Sequence, residues 1–236
     1  METLQNFRSM INNKLEPQMR NHLKNVYGCI ASSTLVAAAG AYSHCNGIWE
    51  GGLLSMLGSI ILLTMMAFSR NPEGKDDGMR FLYLNGFALC TGLSTGPLIE
   101  RVWDLEPSIV VSALMYTCVI FTCFTISALI APDGKYLALG GPLLSILSTM
   151  LLASILNIFV RSPTFVYMQL ILGLVIMSAF ILYDTQMIME KVRMGDKDYV
   201  WHSLTLFMDL ASIFKHILVL LADKEQNSRN RKRSSR

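Results

Sequence analysis

Asp184 closes an apolar run, FVYMQLILGLVIMSAFILY, that begins at Phe165. A carboxyl in the middle of a membrane helix costs about 2.5–3.5 kcal/mol on insertion scales, so the position calls for a partner or a task. A second acid, Asp209, belongs to a polar series: His202, Thr205, Asp209, Ser212 and His216 follow one another at steps of three, four, three and four. Those steps place all five on one face of a helix, and the positions between them are mostly apolar. The midpoint between Asp184 and Asp209 falls between Asp196 and Lys197, inside MGDKDY. Two antiparallel helices joined there carry both acids at one depth, roughly 15 Å from the turn at 1.5 Å per residue. Two carboxyls facing each other in a low-dielectric interior do not both ionise cheaply; they titrate as a unit. Such a dyad is a proton-sensitive latch, or a transient calcium site, because calcium prefers oxygen ligands. His202, Thr205, Ser212 and His216 are the candidates for lining a pathway beside it.

Other polar groups sit in apolar surroundings. TGLSTGP ends near Glu100, a further pathway candidate, as is Asn157. GLSTG matches a nucleophile elbow in pattern, but that motif needs a strand–turn–helix setting. Gly92 and Gly96 are better read as a small-residue face for close helix packing, with Pro97 freeing a carbonyl near the helix end. Gly51, Ser55 and Ser59 form a similar face. Cys29, Cys45, Cys90, Cys118 and Cys123 are odd in number and lack CxxC spacing, so neither a disulfide nor a metal framework is expected.

The elements that must hold these residues follow from composition. Of 236 residues, 52% are hydrophobic and only 16% charged, against roughly a quarter charged in soluble domains; mean hydropathy is +0.42. Seven apolar runs, at 26–42, 53–68, 81–99, 109–131, 136–160, 165–183 and 201–221, approach or exceed the ~20 residues a spanning helix needs. Backbone groups in lipid must be satisfied within the segment, so each run is expected to be helical. The chain is expected to be an all-α polytopic membrane bundle of seven transmembrane helices. Its parts are an N-terminal segment (1–25), the helical domain (26–221) and a basic tail (222–236). No apolar h-region precedes the first run, so no cleavable signal peptide is expected. Arg8, Lys14, Arg20 and Lys24 precede helix 1, and the basic residues of the 2–3 and 6–7 loops join them on one side. The N-terminus is therefore expected in the cytosol. The tail, with Lys224, Arg229, Arg231, Lys232, Arg233 and Arg236, conflicts with seven crossings unless segment 7 dips in and returns.

YDTQMIMEK and GDKDYVWHSLTLFMDL resemble the C-terminal signature of the Bax inhibitor-1 family, the transmembrane BAX inhibitor motif proteins. HLKNVY, LVAAAGAY, GLLSMLGS, TGLSTGPLIE, PSIVVSAL and IFTCFTISAL extend the resemblance over nearly the whole chain. It implies a seven-helix fold with a central last helix, residence in the endoplasmic reticulum membrane, a pH-sensitive calcium leak and suppression of stress-induced apoptosis. The family's paired aspartates match Asp184 and Asp209. Some bacterial relatives pair the dyad with an arginine of helix 2; no arginine lies within that run here, and Arg70 follows its end. Calcium is implied as permeant ion, with no cofactor. Implied partners are the membrane, protons, Bcl-2-type proteins, and stress or calcium-release proteins of the reticulum; nothing points to nucleic acid. Two other readings stand beside the leak. One is an anti-apoptotic adaptor without transport of its own. The other is an intramembrane aspartyl protease, although FMDL replaces that class's GxGD and no PAL follows. No enzyme activity is expected.

Overall fold

A computed structural model describes residues 16–70 and 78–234. Arg8, Lys14, Lys75 and Arg236, used above for the charge pattern, lie outside the described residues, as does most of the 1–25 segment. Seven α-helices are described: α1 (Pro17–Cys45), α2 (Leu53–Phe68), α3 (Gly78–Leu105), α4 (Pro107–Ile130), α5 (Gly140–Val160, preceded by a 3-10 turn at Leu137–Leu139), α6 (Pro163–Arg193) and α7 (Tyr199–Ser234). No strand occurs among the described residues, and GLSTG lies inside α3, so the nucleophile-elbow setting is absent.

Local chemistry sets several helix ends. Proline opens α1, α4 and α6, where its fixed φ suits the first turn and its missing N–H costs nothing. Ser162 caps α6 by accepting from the Phe165 N–H. Arg161, at φ 53°, and Gly195, at φ 96°, turn the chain after α5 and α6. Consecutive helices run up and down through short connections, so α1, α3 and α7 point the same way.

α7 packs on α1, α3, α4 and α6 and forms the axis of the bundle, while α2 lies on α3 and α5 on α6, outside that ring. Val200, Leu204, Leu206, Phe207, Ile213, Ile217 and Leu218 of α7 are buried in the clusters this creates. α1 and α3 approach closely because Gly92 faces the Ala37 carbonyl, where a Cβ would collide with backbone, and Gly96 faces the His44 ring. Small residues that let helix backbones touch are the usual device for packing in lipid. The outside is apolar in turn: Met115 and Val119 on α4, Leu152, Leu156 and Phe159 on α5, and Met168 and Val175 on α6 are all exposed. An apolar surface of that extent is stable against hydrocarbon and not against water. Among the described residues, five helices are long and apolar enough to cross a membrane: α1, α4, α5 with its leading turn, α6 and α7. α2 is apolar but shorter, and α3 is long but carries Glu100, Arg101 and Asp104 near its end.

One sequence expectation is revised, and one alternative left open by the sequence falls. The sixth helix does not stop at Tyr183: it runs ten residues further, to Arg193, because Thr185, Gln186, Ile188 and Met189 turn inward and pack. The last segment does not dip and return. α7 is continuous through the start of the basic tail, and Arg229 pairs with Glu106 at the α3–α4 junction, 3.1 Å away. That junction lies at the end of the bundle opposite the α6–α7 turn.

Candidate functional site

The α6–α7 hairpin brings Asp184 and Asp209 together, with their carboxyl groups within hydrogen-bonding reach of each other. Asp209 is 7% exposed and Asp184 half-buried. Oδ2 of Asp209 is shielded from solvent and meets no N–H or hydroxyl donor. The pair sits about ten residues from the turn on each helix, at matching depth, because the loop spans only Met194–Asp198.

Polar contacts lock that loop to the rest of the bundle. The two terminal guanidinium nitrogens of Arg80, Nη1 and Nη2, donate to the Asp198 carboxylate, at 2.7 and 2.8 Å, and both side chains are buried. Asp198 Oδ1 also accepts from the Trp201 N–H at 2.9 Å, capping α7. Arg70 reaches Asp196 at 3.2 Å and lies over the Trp201 ring. His202, one of the polar series, is 1% exposed and joins His22 of α1 through a 2.8 Å contact between ring nitrogens. Its other nitrogen is 3.9 Å from Asp196. His202 thus belongs to this end of the bundle, about two turns from the dyad.

The remaining candidates divide. Thr205 donates to the Trp201 carbonyl within its own helix, at 3.3 Å. His216 Nδ1 contacts the Ser212 carbonyl at 2.7 Å, and its ring packs on Gly173 of α6, so this stretch of the series faces the partner helix of the dyad. Glu100 is not with them: it lies at the other end of α3, 3.3 Å from His44. Asn157 is not in the bundle interior either; its Oδ1 accepts from the Ser162 N–H at 3.0 Å and closes the α5–α6 turn.

Four residues around the dyad's helix escaped sequence reasoning. Gln186 is buried and clamps the α4–α5 connection, accepting from the Tyr136 N–H at 2.7 Å and donating to the Pro132 carbonyl at 3.0 Å. Thr185 is fully buried, and its hydroxyl is near that of Tyr27 from α1, as is Thr125 of α4. Only the DTQ string hinted at any of this. Among the described residues no three His, Cys, Asp or Glu side chains are grouped as a metal site, and all five cysteines are free. The dyad alone therefore offers two carboxyl groups, enough for a passing cation or a shared proton and short of a calcium cage.

The family model for "Inhibitor of apoptosis-promoting Bax1" matches residues 19–226. Bax inhibitor 1 of Homo sapiens is 43% identical over 221 residues, covering 93% of this chain and 92% of the human protein. Bax inhibitor 1 of Drosophila melanogaster is 36% identical over 235 residues, 100% of this chain and 96% of the fly protein. The protein from Arabidopsis thaliana with the same name is 37% identical, over 95% and 89%. With a helical bundle of apolar exterior and a match of this extent, the chain belongs to the Bax inhibitor family.

Proposed function

We propose that the protein is a pH-sensitive calcium leak channel of the endoplasmic reticulum membrane that suppresses stress-induced apoptosis, gated at Asp184 and Asp209. The observation that carries this reading is the dyad: two carboxyls in mutual contact near the middle of a helix hairpin, at the axis of a bundle whose outer surface is apolar. Two charges there repel at close range, so the site favours either a shared proton or a cation between the carboxylates. Adding or removing that proton changes how α6 and α7 hold together, which is a gate. Thr205 and Ser212 supply oxygens along the same helix face.

All seven helices cross the membrane in this reading, α2 and α3 completing the five that meet the length and composition of a span. The N-terminus is cytosolic. Arg20, Lys24, Arg70, Arg80, Lys135, Lys191, Arg193 and Lys197 then share the cytosolic end, in line with the positive-inside rule, while the basic end of α7 lies on the opposite side against it.

The adaptor reading has one observation in its favour, the exposed basic end of α7 with Lys224, Arg229 and Arg231. Purified protein in calcium-loaded liposomes separates the two. The leak predicts efflux above that of protein-free vesicles that changes with pH; efflux equal to empty vesicles at every pH rejects the leak and favours the adaptor.

A further inference from the structure

On the side of α7 turned away from the dyad, a crevice of about 580 Å³ runs between α1, α3, α4 and α7. Phe207, Ala211, Phe214 and Lys215 line it from α7; at 100° per residue they lie roughly opposite Asp209. α1 and α4 come together at Tyr27 and Thr125 toward the α6–α7 turn; toward the other end the crevice is lined by Ala38 and Ala41 of α1 and by Val110 and Thr117 of α4. Tyr42 of α1 and Leu114 of α4 flank the opening and are both exposed, so the crevice faces the bilayer sideways.

The walls are mostly apolar, yet charges are placed along them in a definite order. Lys215 is half-buried, and no hydrogen bond or ion pair reaches its ammonium among the described residues. An unpaired ammonium at membrane depth is costly and calls for an anion. Nearer the mouth stand Glu100, which shares His44, and Asp104, with the rings of Tyr42 and Trp103 around them. The Arg80–Asp198 pair fixes a common starting level for α3 and α7. Counting from it at 1.5 Å per residue, Lys215 lies about 5 Å deeper than Glu100 and about 10 Å deeper than Asp104. From mouth to floor the crevice therefore offers carboxylates and aromatic faces, then an ammonium, then apolar wall. A zwitterionic phospholipid presents the complement in the same order: an ammonium, a phosphate and an acyl chain. Aromatic faces favour the ammonium as well. An anionic lipid would leave the mouth carboxylates without a cation, and a fatty acid would leave them unanswered.

We propose that this crevice binds one zwitterionic phospholipid, its ammonium between Glu100 and Asp104, its phosphate on Lys215 and one acyl chain along Phe207 and Ala211. The site is separate from the gate and does not depend on the leak reading.

The test is photolabelling of the full-length protein in vesicles containing a trace of phosphatidylcholine, or of phosphatidylglycerol, each carrying the same photoactivatable acyl chain. Phosphatidylcholine should label crevice segments of α4 and α7 severalfold more than the lipid-facing surface of α5. Lys215→Gln should remove most of that excess and leave α5 labelling unchanged. Glu100→Gln with Asp104→Asn should erase the preference for phosphatidylcholine over phosphatidylglycerol. If Lys215→Gln does not accumulate as folded protein, Lys215→Arg must, and must keep the excess. Crevice labelling no greater than that of α5, equal labelling by both lipids in the wild type, or labelling indifferent to Lys215→Gln overturns the proposal.

Discussion

At the scale of single residues, the contacts that position the dyad are made at the turn of the hairpin that carries it. Arg80 and Asp198 form a fork-to-carboxylate pair with 4% and 0% of their residue surface exposed. Removing one partner of such a pair leaves the other charge buried without its counter-ion, which costs about 3–5 kcal/mol. Arg80→Ala is therefore expected to lower the unfolding temperature in detergent sharply, whereas Arg80→Met combined with Asp198→Leu should recover part of the loss. A double variant no more stable than Arg80→Ala would mean that the charge left behind is not what destabilises. The sequence made Asp184 and Asp209 legible because both are local features, an acid in an apolar run and an acid in a periodic seam, mirrored about one turn. It could not pair Arg80 with Asp198 or His22 with His202, since no local signal links residues 118 and 180 positions apart. Lys215 was missed for another reason. It lies off the face traced by His202, Asp209 and His216, and one cation in an apolar helix reads as an interruption until its crevice is seen.

At the scale of elements, hydropathy gave the number of helices and misplaced several of their ends. Runs of apolar residues stop where polar ones begin, but α6 continues beyond Tyr183 because Gln186 finds three backbone partners inside the bundle. α7 carries the sharper lesson. Charge pattern left the side of the tail open: seven helices pointed to a full crossing, but the tail is basic and basic segments stay in the cytosol. The continuous helix to Ser234 and the Arg229–Glu106 pair instead set the tail at the end of the bundle opposite the α6–α7 turn. The expected outcome is directly measurable. Of two glycosylation acceptors, one added before Met1 and one after Arg236, only the second should be modified in microsomes. Modification of neither or of both would place the two ends on one side and remove α7 as a full crossing.

At the scale of the whole molecule, the bundle holds two things on opposite faces of one central helix: a pair of acids against α6, and a crevice with a cation toward α1, α3 and α4. Packing separates them, so each can be altered without the other. Family membership and apolar exterior make this a membrane protein of the Bax inhibitor type, and the proposed gate makes the dyad the group whose protonation should set the leak. Because the carboxyls are in contact, they should act as one unit, and substitutions within a unit are not additive. The decisive measurement is calcium efflux from liposomes against pH for the wild type, Asp184→Asn, Asp209→Asn and the double variant. Each single substitution should abolish the same pH response, with the double variant indistinguishable from either. Two single variants that shift the curve independently, with effects that sum in the double, would contradict a gate built on a shared proton.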